Sequence, residues 1–199
     1  MNKLLGIGLS GFVMLSFFGC NPAVQRVNEN TITDLSGRWN DTDSHLVSEQ
    51  MIKEALERPW LSNFMKAKGK NPTVVVGTIT NKSDEHIAID VFRNNIERTL
   101  TNSDKVTFVV GKETREEVRD ERTDQQDNAS DQTRKRFKQE LGADFMMQGE
   151  ISSVTDEKDG TRAVYYQVDL KMVDMESNAK VWYGQKKIKK IISKPGIGF

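Results

Sequence analysis

Apolar and polar positions change their rhythm along this chain, and each rhythm implies a different element. From Asn40 the run NDTDSHLVSEQMIKEALERPW places Val47, Met51 and Ala55 on one side with Ile52 and Leu56 beside them, which is the spacing of an amphipathic helix. Asp, Thr and Ser ahead of it supply caps, and Pro59 ends it. Trp60/Phe64 and Leu61/Met65 repeat the spacing of four and predict a second short helix closed by Gly69. Thr73 to Ile79 is an unbroken β-branched run, the signature of a strand covered on both faces and therefore central. Ser83 and Asp84 then stand as caps for a helix with the inward stripe Ala88, Phe92, Ile96 and Leu100, flanked by Ile87 and Val91, and Val106 to Val110 reads as a strand. Gly111 closes this βαβ-like unit.

A period of two takes over near the C-terminus. Asp144 to Val154, Thr161 to Asp174 and Lys180 to Ile191 read as consecutive strands, the first two joined at Asp159-Gly160, a strong hairpin signal. In the middle strand Val164, Tyr166, Val168, Leu170 and Met172 share one face, and Gln167, Asp169 and Lys171 share the other. One face is core and the other largely wet.

Between these regions lies a stretch with almost nothing to bury. Residues 112–136 carry 7 Lys/Arg and 8 Asp/Glu, with Val118 the one large apolar residue. Mixed charges at helical spacing (Glu113/Glu117, Arg115/Arg119, Glu121/Gln125) fit solvated helix as well as disorder, and we expect two exposed helical pieces. Phe137 and Leu141 suit a second piece docking its last turn before Gly142, with a joint near Asp127 to Ser130.

The N-terminus follows another logic. Lys3 precedes an apolar stretch from Leu4 to Phe18, then Gly19-Cys20. That is a signal peptide's layout, and the run is short of the ~20 apolar residues a membrane span needs. The chain's one cysteine follows a small residue at the end of the stretch, resembling a bacterial lipobox in which Cys20 is diacylated and becomes the new N-terminus, although Phe17 and Phe18 stand where Leu and a small residue are usual. We therefore read residues 1–19 as a lipoprotein signal peptide, 20–38 as a lipidated flexible tether and 39–199 as a globular domain. Asn21 after the cysteine resembles an outer-membrane sorting signal of the enteric type.

Composition narrows the function. With 29 Lys+Arg against 29 Asp+Glu in 199 residues there is no global cationic excess to attract nucleic acid. One cysteine forbids an internal disulfide, and His45 and His86 without HExxH spacing give no metal site. There is no Ser/His/Asp or Cys/His set and no phosphate-cradling glycine loop, so we expect no catalytic residues, no cofactor and no enzyme. The charge balance hides one local excess, because Lys180, Lys186, Lys187, Lys189, Lys190 and Lys194 have no acid among them. Lysines on an outer strand guard against edge-to-edge aggregation, and they could instead form a docking patch for an acidic partner or anionic lipid.

Three stretches carry a resemblance. Leu35-Ser36-Gly37-Arg38-Trp39-Asn40-Asp41-Thr42-Asp43, the run from Arg119 to Ser130 with Asp124-Gln125-Gln126 inside it, and Leu141-Gly142-Ala143-Asp144-Phe145-Met146-Met147-Gln148-Gly149-Glu150-Ile151 together resemble the LpoB-type penicillin-binding protein activators. The resemblance runs from about Leu35 to about Ile188. It implies an α/β (mixed α+β) fold like the N-terminal domain of TolB, a single mixed sheet flanked by helices. It also implies a lipid-anchored protein of the outer membrane, facing the periplasm, that docks on a bifunctional peptidoglycan synthase (a class A penicillin-binding protein) and raises its activity. Other lipoproteins of this architecture, of the TolB and curli-secretion type, are non-enzymatic assembly or secretion factors. For the contact surface we single out Arg119, Arg122, Asp124, Gln125 and Gln126, which offer directional hydrogen bonds where burial in the monomer is not required. Where familiar members have a long proline-rich tether, this chain has 18 residues between Cys20 and Trp39. Such a segment spans at most ~60 Å extended and nearer ~25 Å as a coil.

Overall fold

A computed structural model describes residues 24–28, 31–135 and 139–193. The leader at 1–19, Cys20, Phe137 and Lys194 lie outside the described residues. The fold belongs to a unit that begins at Ile32. Its first helix, α1 (Asp41–Leu56), starts where its cap chemistry dictates. Asn40 Oδ1 accepts the backbone N–H of Asp43 at 3.0 Å while Asp43 Oδ2 accepts that of Asn40 at 3.0 Å, so two otherwise orphaned donors are satisfied. Val47, Met51, Ile52, Ala55 and Leu56 are all buried, as the spacing required. Pro59 opens α2 (Pro59–Lys68), and Gly69 closes it in the left-handed region at φ 66°.

The sheet has five strands in the order β2-β1-β3-β4-β5. β1 (Thr73–Lys82) runs parallel to β2 (Thr107–Phe108) and to β3 (Phe145–Lys158), while β4 (Thr161–Asp174) and β5 (Lys180–Ser193) follow antiparallel. This is the single mixed sheet with flanking helices that the sequence implied. Val74, Val75 and Val76 are all buried, so the first half of β1 is covered on both faces, but the middle place in the sheet belongs to β3. At the β3–β4 hairpin Asp159 and Gly160 both have positive φ, 50° and 77°, as a two-residue turn matched to strand twist demands.

Two boundaries differ from expectation. Ser83 and Asp84 cap nothing, because β1 continues to Lys82 and its end is knotted by Asn81, whose Oδ1 accepts the Ser83 hydroxyl at 2.6 Å while its Nδ2 donates to Glu85 O at 2.7 Å. The helix α3 (Ile89–Thr101) therefore begins later, burying Phe92, Ile96 and Leu100 and leaving Val91 exposed. The strand expected at Val106 to Val110 shrinks to two residues, since only the start of β1 offers it an edge before the chain departs into α4 (Lys112–Asn128).

One face of the sheet carries the core. Val74, Val76, Phe145, Met147, Ile151, Val168, Leu170, Met172 and Trp182 meet Met51, Ile52, Trp60, Phe92 and Ile96 from the helices. Trp60 and Phe64 both stand edge-on to Phe145, at 4.9 and 5.3 Å between centroids. On the opposite face Glu150 of β3 is registered against Asp169 of β4, which is registered against Gln185 of β5, a polar row across three strands.

Candidate functional site

The charged stretch after Gly111 forms α4, a helix of 17 residues that buries none of them. Such a helix needs other reasons to hold its place. Arg119 supplies one, donating from Nε and Nη2 to the two carboxylate oxygens of Glu140, each at 2.8 Å. This planar fork lowers the Glu140 pKa and raises that of Arg119, in both cases first through the hydrogen bond itself. Arg122 Nη1 lies 3.6 Å from the same carboxylate. Further along, Gln125 Oε1 accepts the Lys135 N–H at 3.3 Å and Gln126 Nε2 donates to the Lys135 carbonyl at 2.7 Å. Asp124 accepts from Asn128 at 2.8 Å within the helix and is exposed.

Four of the five residues singled out for contact therefore act together. Arg119, Arg122, Gln125 and Gln126 hold the returning chain, at Lys135 and Glu140, against α4. Asp124 stays outside that clasp. The second helical piece expected around Leu141 is not present among the described residues. Ala129 is extended and Leu141 is 62% exposed, so Leu141 does not dock the helical turn expected of it. The result is a polar limb, helix plus returning chain, fastened by its own side chains.

Two other polar groupings escaped the sequence reading. The first is at the domain's entry. Lys190 of β5 donates to Asp34 at 2.7 Å, to Asp43 at 2.6 Å and to the Arg38 carbonyl at 3.1 Å. Burial pulls the Lys190 ammonium down, but the hydrogen bonds and charges of the two aspartates outweigh it and leave its pKa raised. Beside this clasp the Tyr166 hydroxyl donates to Gly37 O at 3.1 Å, and Trp39 stands edge-on to Phe92 and Tyr166. The second grouping is on the polar face of the sheet, where Asp169 accepts from Gln167 Nε2 (2.7 Å), the Tyr183 hydroxyl (2.6 Å) and Gln185 Nε2 (2.9 Å). Burial raises its pKa, yet these three donors prevail and it lies below the usual carboxylate value. Asp169 borders a recess of about 380 Å³ with Thr78, Thr80, Gln148 and Glu150. Among the described residues no group of three or more His, Cys, Asp or Glu is placed to hold a metal.

The family model for the peptidoglycan-synthase activator LpoB matches residues 43–188, from the capping aspartate of α1 to Ile188 of β5. This chain belongs to the LpoB family. Among solved structures it is similar to the LpoB C-terminal domain from Salmonella enterica, at 16% identity over 68% of this chain and 94% of that one, with a TM-score of 0.32. The LpoB C-terminal domain from Escherichia coli gives 14% identity, 66% and 94% coverage and a TM-score of 0.34. Lipoprotein GNA1162 from Neisseria meningitidis gives 16%, 63% and 88%, and 0.35. No curated protein matches the chain in sequence. The family match spans the whole limb, so α4 and its return segment are part of what an LpoB-type domain comprises here. No helix among the described residues is long and apolar enough to cross a membrane.

Proposed function

We propose that this protein is an outer-membrane lipoprotein, anchored through Cys20 after removal of residues 1–19, whose domain from residue 39 onward docks on a class A penicillin-binding protein and raises its glycan-polymerising and crosslinking activity. Residues 20–38 serve as the tether. Membership of the LpoB family supports the regulatory reading, and the observation that carries the contact surface is α4: a helix without a buried residue that is nevertheless pinned by a bidentate Arg119–Glu140 pair and two glutamines. A solvated helix held this way presents its polar groups in a fixed arrangement before the partner arrives, which lowers the ordering cost of association. Arg119, Arg122, Gln125 and Gln126 shape the limb, and Asp124 on its free side meets the partner.

Binding and stimulation of a purified class A synthase by the full chain provide the test. Asp124→Lys is expected to leave the melting temperature within about 2 °C, as exposed changes usually do, and to weaken binding at least ~10-fold with a matching loss of stimulation. Gln125→Ala with Gln126→Ala should weaken binding by loosening the limb, seen as faster amide exchange over residues 112–135. Unchanged affinity in both variants would remove α4 from the interface. Mass spectrometry of the membrane-extracted protein checks the anchor, with an unmodified N-terminus at Asn21 or beyond the result that overturns it.

A further inference from the structure

The outermost strand, β5, presents a long free edge. It pairs only with β4, and among the described residues no other segment's backbone bonds to its outer side. Along these fourteen residues the amides and carbonyls of alternate residues turn away from β4, and such a row is a template for another strand. The side chains along this edge are selective. Lys186 and Ile188 turn toward α1 and, with its Leu46, Val47 and Lys53, line an open groove of about 560 Å³ in which Leu46 is 50% exposed. Lys187 and Lys189 alternate onto the other face beside the exposed Ile191. Lys190 is engaged by Asp34 and Asp43, whereas Lys186 and Lys189 have no ion pair among the described residues and Lys187 meets only the more distant charge of Asp169.

We propose that the outer edge of β5 takes an extended segment of a partner protein as an added strand, its apolar side chains seated against Leu46 and Ile188 and its acidic side chains facing Lys187 and Lys189. Main-chain hydrogen bonds supply affinity in such an arrangement, and alternate side chains supply selection. A second copy of this chain is a poor occupant, because β5 laid against β5 sets lysines opposite lysines with no acid in the strand. A membrane surface is a poor one too. Headgroups meet one plane, while these lysines point to both faces of the strand, and lipid makes no use of a free backbone edge. The reading is independent of which protein docks on α4.

The probe is a fluorescent peptide of about ten residues alternating Val and Glu, titrated against the full chain in detergent. Saturable binding is expected, together with slowed hydrogen exchange at alternate β5 amides. The double variant Lys187→Glu, Lys189→Glu should weaken it at least ~10-fold, while Lys187→Arg with Lys189→Arg restores it. Circular dichroism melts of both variants confirm that they fold. A peptide with Lys in place of Glu should fail to bind, and so should one with alternate prolines, which lack the donors. Equal binding of the Lys peptide, or binding without any change in β5 exchange, would overturn the proposal. So would dimerisation that protects the same amides, or capture by vesicles of phosphatidylglycerol with no peptide binding.

Discussion

Asp169 is an acid in the middle of a strand, 9% exposed, with three neutral donors around it and, among the described residues, no cation within salt-bridge distance. The fold favours its charged form relative to the ordinary value of 3.8, so unfolding in acid takes up a proton there. The stabilisation it contributes is complete above that value and is lost as pH falls through the lowered folded one. Asp169→Asn is expected to flatten the acid limb of the stability curve and cost about 1–3 kcal/mol at neutral pH, measured by urea unfolding at pH 3 to 7. The Lys190 clasp makes a second residue-scale prediction. Lys190→Met leaves the buried Asp43 and the Arg38 carbonyl without their shared donor and should cost about 1–3 kcal/mol. Asp34→Asn, on the exposed side of the clasp, should cost less than ~1 kcal/mol. Neither cluster is legible in the sequence. Alternation puts Asp169 on a wet face, which gives direction but not depth, and Asp34 and Lys190 lie 156 positions apart.

At the scale of elements, periodicity succeeds where side chains are buried and fails where polar bonds decide. The stripes Val47/Met51/Ala55 and Phe92/Ile96/Leu100 and the alternation from Val164 to Met172 consist of buried side chains. Spacing sets the start of α3 too early because Asn81 outcompetes a helix for Ser83 and Glu85, and side-chain bonds of that kind are invisible to a hydrophobic pattern. The polar residues of α4 can be recognised from spacing as hydrogen-bonding groups on a solvated helix, but their grip on Lys135 and Glu140 depends on a return path that spacing does not encode. Gly149 tests the register of β3 against β4. A Cβ there would lie 2.5 Å from the Asp169 backbone oxygen and would collide with Leu170 Cδ2, so the strands would have to part. Gly149→Ala is expected to cost about 1–3 kcal/mol, read as a lowered melting temperature with faster amide exchange in β4.

For the molecule as a whole, the core is continuous from α2 through the sheet to α1 and α3, while the limb, the polar face and the β5 edge are solvated surfaces hung on it. Their loss should not unfold it. Trp39 belongs instead with the core, standing against Phe92 and Tyr166 and donating from Nε1 to Ser44 Oγ at 2.7 Å. Trp39→Ala should lower stability by roughly 3 kcal/mol in chemical denaturation, whereas the same experiment on Asp124→Lys should show almost no change. The clasp of Asp34, Asp43 and Lys190 has a mechanical meaning as well. Any pull transmitted along the chain from its N-terminal side meets the clasp at Asp34, whose carboxylate oxygen accepts both from Lys190 on the last strand at 2.7 Å and from Asn40, the cap of α1, at 2.6 Å. Load is therefore shared between the border of the sheet and the head of α1, and a tug strong enough to part Asp34 from both donors would next strain the bond from Tyr166 to Gly37 and the seat of Trp39. In a single-molecule stretching experiment the first yield should be the peeling of residues 34–39, at a force that Lys190→Met lowers and that substitutions in α4 leave alone.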